Sequence, residues 1–141
     1  MVSIRSPTAS TPTQGVITMV GYVTIGTNNF ESAGKFYDEL LAELGATRMM
    51  DMETFIAWST EGQTGAALSI TKPFDGNSAT VGNGVMVALA CESKEQVASL
   101  YKKALDLGAT DEGEPGPRGD GFYAGYFRDL DGNKLNAFFM G

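Results

Sequence analysis

Met19-Val20-Gly21-Tyr22-Val23-Thr24-Ile25-Gly26 places Val20, Tyr22 and Thr24 on one face and Gly21, Val23 and Ile25 on the other, the period of two that marks a β-strand. Asn28 follows as a helix cap with Glu31 three residues on. Phe30, Ala33, Tyr37, Leu40, Leu41 and Leu44 then recur at helical spacing until Gly45 ends the run. The same reading returns 64 residues later: Val23 meets Val87, Ile25 meets Leu89, Tyr37 meets Tyr101 and Leu41 meets Leu105. Here Val85–Ala90 is the strand, Ser93 and Gln96 form a Ser-x-x-Gln capping box, and Gly108 closes a helix whose Val97, Leu100, Tyr101, Ala104 and Leu105 share one face. Both helices end in Leu-Gly-Ala. Self-similarity at a fixed offset indicates a duplicated β-α-β-β-β unit.

Working outward, three short runs near residues 47–52, 54–59 and 65–71 read as strands parted by tight turns, one of them at Glu61-Gly62-Gln63. Residues 73–83, with Lys72-Pro73-Phe74-Asp75-Gly76-Asn77 at their start, have turn chemistry and little periodicity, which makes them a linker. Two last strands, 121–128 and 133–140, are joined at Asp129-Leu130-Asp131-Gly132-Asn133, whose Asp-Gly suits a hairpin needing positive φ. The expected organisation is a flexible tail over 1–18 and a single α+β domain over 19–141. That domain divides into module one (19–72), the linker (73–83) and module two (84–141), two βαβββ modules in tandem forming a curled mixed sheet. A length of 141 residues accommodates one such domain.

Composition narrows the function classes. With 43% hydrophobic and 19% charged residues the chain is globular in character, and no stretch approaches the roughly 18–20 unbroken apolar residues of a membrane span. A formal net charge of −7 without any Lys/Arg cluster repels phosphate backbones and anionic lipids, so neither nucleic acid nor membrane is an expected partner. The same charge would attract a cationic small molecule. The first 18 residues are rich in Ser, Thr, Pro and Gln and have no apolar core of the signal-peptide kind. A single cysteine, Cys91, excludes an intrachain disulfide and reads as a small hydrophobe. A cytoplasmic location is expected.

Tyr22-Val23-Thr24-Ile25 running into Phe36-Tyr37 and Leu44-Gly45, together with Tyr126-Phe127-Arg128-Asp129-Leu130-Asp131-Gly132-Asn133-Lys134-Leu135, resembles the glyoxalase, bleomycin-resistance and dioxygenase group, the vicinal oxygen chelate superfamily. The likeness covers residues 19 to 141. Relatives usually have proline in the turn where this chain has Leu130. What the resemblance implies is a sheet curled into a cup, a dimer, and in the group's enzymes a divalent metal held by His, Glu or Gln from inward-facing strand positions. Those positions fall here on Tyr22, Met86 and Asn136, with a fourth on the strand around Leu68-Ser69-Ile70 that the sequence does not fix. The chain contains no histidine at all. Zn, Fe, Ni and Mn sites need several nitrogen, thiolate or carboxylate donors converging at about 2.0–2.3 Å. A tyrosine, a thioether, an amide and a serine do not supply them, so no metal and no other cofactor is expected.

What remains is a cup with apolar walls and a few polar tips, which suits a small organic ligand. Tyr22, Met86, Asn136, Phe138, Trp58 and Arg118 are the expected ligand-binding residues, and no catalytic residue is identified. Phe138 shares the face of Asn136 by parity. Trp58, Phe55, Phe74, Tyr123 and Tyr126 are aromatics whose parity the sequence leaves open, packing under a helix or facing a ligand. Gly113, Gly116, Gly119 and Gly121, with Pro115 and Pro117, lack the Gly-Lys-Ser/Thr of a phosphate loop and read as a connecting loop, or else a flap that brings Arg118 to an anionic ligand. Asp129-x-Asp131-x-Asn133 lacks the later residues of a calcium loop. Three functions stand open: metal-independent small-molecule binding, resembling the drug-sequestering bleomycin-resistance proteins; a lyase, isomerase or dioxygenase-like enzyme related to lactoylglutathione lyase; and a scaffold keeping only the fold. The first is preferred, with a homodimer as the working form.

Overall fold

In chain order the elements are β1 (Tyr22–Gly26), α1 (Phe30–Ala42), β2 (Ala46–Asp51), β3 (Phe55–Thr60), β4 (Ala67–Thr71), β5 (Val87–Ala90), α2 (Lys94–Asp106), β6 (Thr110–Pro117), β7 (Phe122–Arg128) and β8 (Lys134–Met140). They come from a computed structural model that describes residues 19–60 and 65–141. The expected tail, 1–18, and the turn at Glu61-Gly62-Gln63 lie outside these. The duplicated βαβββ unit is present, its eight strands divided between two four-stranded mixed sheets ordered β1-β4-β3-β2 and β5-β8-β7-β6. In each sheet the first strand pairs in parallel with the last, and the other pairings are antiparallel. No described helix is long and apolar enough to cross a membrane.

Three local departures from the sequence reading have physical causes. The cap of α1 is Asn29, whose side chain accepts from Ser32 N at 3.2 Å. Asn28 is drawn away to residue 79, accepting from Ala79 N at 2.7 Å and donating to Ala79 O at 3.2 Å, which ties down the stretch after β4. The glycine-rich segment is not a plain loop, because its first part is strand β6. Proline hides it from a propensity reading but is tolerated at a sheet edge, where β6 lies. Gly125 makes the pairing with β7 feasible, since a Cβ there would come within 3.0–3.3 Å of Pro115. At α2 the capping box forms as read, with Ser93 Oγ accepting from Gln96 N at 3.0 Å.

Each helix covers one sheet. One contiguous apolar core runs from Ile25 and Tyr37 through Trp58 and Leu100 to Phe127 and Leu135, so the two halves share an interior. A buried polar tie between them is formed at the β7–β8 turn. Asp129, buried, accepts four hydrogen bonds: from Tyr37 Oη at 2.6 Å, from Asn133 Nδ2 at 3.0 Å, and from Asp131 N and Asn133 N at 2.9 Å each. Asn133 also donates to Gly26 O at 3.0 Å, and Asn28 N donates to Asp131 Oδ1 at 2.8 Å. Gly132 takes the positive φ of 93° that the turn requires.

Burial, and then the neighbouring Asp129 carboxylate, hold the Tyr37 hydroxyl well above its ordinary pKa. Its neutral form therefore contributes stability that is complete below the unfolded value of about 10 and is lost as pH rises beyond it. Tyr37→Phe should cost about 1.5–3 kcal/mol in urea denaturation near neutral pH, the range for a hydrogen bond to a charged group. The variant should also lose less stability than the parent between about pH 9 and 11.

Candidate functional site

Strand parity assigns one face of each sheet to its helix and leaves the other open. On the first sheet the open face carries Tyr22 and Thr24 of β1, Ser69 of β4 beside Thr24, and Ala57 and Phe55 of β3. Tyr22 is 62% exposed and meets Phe55 edge-on, ring centroids 6.1 Å apart. Ser69 is fully buried and satisfied, donating to Val23 O at 2.7 Å and sharing a 2.9 Å contact with Thr24 Oγ1.

On the second sheet the open face is built from Ala88 and Ala90 of β5, Asn136 and Phe138 of β8, and Tyr126 and Ala124 of β7, each lying beside its register partner. Phe138 stacks on Phe122 at 5.7 Å with the planes 19° apart. Asn136 is 1% exposed, and its Oδ1 is the one buried side-chain oxygen or nitrogen among the described residues that lacks a hydrogen-bond partner. A buried acceptor left unsatisfied costs about 1–3 kcal/mol, so such groups are rare and call for an explanation.

The two sheets correspond strand by strand, and the Thr24–Ser69 pair of the first occupies the place of the Ala88–Asn136 pair of the second. Ser69 is thus the residue that the sequence alone could not choose on β4. Met86 falls immediately before β5, two residues from Ala88 and 42% exposed. Arg118 stands in the β6–β7 turn and folds back over the Tyr126 ring, 5.5 Å from its centroid. Within a single chain, Asn136 and Phe138 belong to the second sheet, Met86 and Arg118 flank its strands, and Tyr22 belongs to the first.

Trp58 does not join them. It lies on the helix-facing side of β3, 1% exposed, donating from Nε1 to Asp38 of α1 at 2.9 Å and packing against Tyr37. Tyr123 likewise turns toward α2, under Lys94, whereas Tyr126 faces the open side. Sequence reasoning passed over Lys134, which shares the parity of Asn136 and Phe138 and lies 5.5 Å from the Tyr126 ring centroid. That parity was the available signal. Phe122 was readable only once the β7–β8 register was known.

The four inward positions hold a phenol, a hydroxyl, a thioether and an amide. They do not fit a divalent transition metal, which needs imidazole, thiolate or carboxylate donors. Among the described residues no three His, Cys, Asp or Glu side chains are grouped to hold one elsewhere. Cys91 is no ready nucleophile, since burial pushes its thiol up to about 11. What the faces offer is shape, aromatic surface and hydrogen bonding.

Comparison with known proteins agrees with this architecture. The family model described as the Glyoxalase/Bleomycin resistance protein/Dioxygenase superfamily matches residues 19–137. A glyoxalase/bleomycin resistance protein from Albidiferax ferrireducens T118 has a crystal structure that is 32% identical, with a TM-score of 0.80 over 88% of this chain and 100% of that one. The fold alone is shared with the genomically encoded fosfomycin resistance protein of Listeria monocytogenes, at 16% identity and a TM-score of 0.67 over 89% of this chain and 96% of that one. It is shared too with lactoylglutathione lyase of Agrobacterium tumefaciens, at 15% identity and 0.64 over 88% and 95%. No curated protein matches the sequence. With the family model spanning most of its length and the pattern of two βαβββ units behind it, the chain belongs to the glyoxalase, bleomycin-resistance and dioxygenase superfamily, as a member without the usual metal ligands.

Proposed function

We propose that this protein binds a small organic molecule, without a metal ion, on the open faces of its sheets. The observation that carries the reading is Asn136: a buried amide oxygen with no partner, at the floor of an aromatic face, costs stability unless something completes it. A ligand donor is the simplest completion. The face around it, with Phe122, Phe138 and Tyr126, has the mix of apolar surface and few polar tips found in small-molecule sites.

The working form proposed is a homodimer in the cytoplasm. β1 and β5 are both edge strands, and Met19, Tyr22, Val85 and Met86 beside them expose large apolar side chains. Open edges with apolar flanks are usually covered. A second copy could cover them, bringing the Tyr22 face of one chain to the Asn136 face of the other. Sedimentation velocity should show a species of twice the chain mass, and Tyr22→Asp combined with Met86→Asp should shift it toward monomer.

Calorimetric and melting titrations of chelator-stripped protein with Zn, Ni, Mn and, anaerobically, Fe(II) should show no stoichiometric binding. Tight binding by the unaltered protein would overturn the metal-free reading. Met86→His with Asn136→Glu puts two proper donors at the second sheet and should gain at least about tenfold in Zn or Ni affinity.

Asn136→Leu separates a binding residue from a structural one. Removal of the unsatisfied acceptor should stabilise the ligand-free protein by about 1 kcal/mol or more. A loss of stability would instead mark the amide as part of the structural framework.

A further inference from the structure

We propose that the second sheet's open face takes a small aromatic anion, its negative group drawn to Arg118 and Lys134 and a hydroxyl or amine of the same molecule donating to Asn136 Oδ1. The proposal rests on the reading of this face as a binding surface and adds the chemical class of what it binds.

The seat of Arg118 is built. Its guanidinium is held from behind by the carbonyls of Glu114, at 2.6 Å, and Pro117, at 3.3 Å. It lies over β6 at two residues without side chains: a Cβ on Gly113 or Gly116 would come within 3.3 or 3.1 Å of its terminal nitrogens. Gly113 and Gly116 are register neighbours of Tyr126 and Ala124, so the side chain lies on the open face rather than in solvent beyond the turn. The glycine-rich segment thereby acquires a role that a connecting loop would not need. Lys134 reaches the same Tyr126 ring from β8, and Tyr126 is the register partner of Asn136. Two cations, one ring and the orphan oxygen thus share one patch.

Among the described residues neither Arg118 nor Lys134 forms an ion pair, although the chain carries 17 acidic residues against 10 basic ones. The carboxylates nearest to Arg118 in sequence are otherwise placed. Glu112 is engaged by Arg128 at 3.3 Å, Glu114 lies close enough to Tyr101 to raise its pKa, and Asp120 is beyond ion-pairing distance of Arg118. The first sheet, by contrast, presents the hydroxyls of Tyr22 and Thr24, that of Ser69 being buried and satisfied. Net charge alone favours a cationic ligand, but salt at about 0.15 M screens charges beyond about 8 Å. Arg118 and Lys134, each 5.5 Å from the Tyr126 ring centroid, lie within that range of it. An anion alone would leave Asn136 Oδ1 unsatisfied, hence the added donor, and the stacked Phe122–Phe138 pair favours a flat ring to carry both.

Three probes of one shape separate the cases: 4-hydroxybenzoate, the neutral 4-hydroxybenzyl alcohol, and cationic tyramine. Each is titrated calorimetrically into the full chain while the side-chain amide of Asn136 is followed by 1H–15N spectroscopy. 4-Hydroxybenzoate should bind saturably, shift that amide, and bind about tenfold more tightly than the alcohol, with tyramine weakest. Arg118→Gln and Lys134→Gln should each weaken the benzoate by about tenfold with little change for the alcohol, and raising salt from about 0.05 to 0.5 M should do likewise. Unchanged thermal melting shows that the variants remain folded. If the alcohol or tyramine shifts the Asn136 amide and binds as tightly as the benzoate, the anion assignment is wrong while the binding face stands. If no probe shifts that amide and Asn136→Leu lowers stability, both are wrong.

Discussion

A buried carboxylate that forms no ion pair among the described residues ties the two halves together. Asp129 is buried at the β7–β8 turn and accepts donors from its own turn and from Tyr37 on the helix of the other half. Buried polar networks of this kind are strong when complete and costly when broken. This one sets more than the packing of the helices. β8 leaves directly from the turn, so the direction in which Lys134, Asn136 and Phe138 project is fixed at the same point that anchors β1 through Asn133 and Gly26.

The duplication lets each half be used to read the other. The equivalent tyrosine of α2, Tyr101, also donates to an aspartate, but Asp111 belongs to its own half, on β6. One tyrosine therefore ties the halves together and its counterpart ties a strand to a helix. The open faces have diverged in the same manner. Where the first half buries a serine whose hydroxyl finds a backbone carbonyl and a threonine, the second buries an amide whose oxygen finds nothing. Same position, opposite energetic consequence.

Much of this was legible in the residues. Both helices and β1 announce themselves because a single periodicity runs unbroken through them, and the 64-residue offset exposes the repeat. Tyr22, Asn136 and Phe138 could be placed on faces because their strands alternate. Trp58 could not, since Phe55-Ile56-Ala57-Trp58 is apolar throughout and carries no parity signal. β6 was concealed by its prolines and glycines, which deny it strand propensity while its pairing with β7 supplies the structure. Adjacent asparagines at 28 and 29 are equal as helix caps by composition; only the competing bond from Asn28 to residue 79 decides between them. Ser69 needed the pairing of β1 with β4, a contact between residues 45 apart, which no local pattern encodes.

The placement of Trp58 has an optical consequence. It is the only tryptophan of the chain, sealed beneath α1 with its indole nitrogen on Asp38 and the Arg48 guanidinium 5.8 Å above its ring. Its emission accordingly monitors the interior of one half of a duplicated molecule, on the side away from the open face. The second half contains tyrosines but no tryptophan, and it is silent at the red edge of the excitation band. Red-edge excitation thus reads the first half alone, although tyrosines lie in both, an internal label that the sequence supplies without modification.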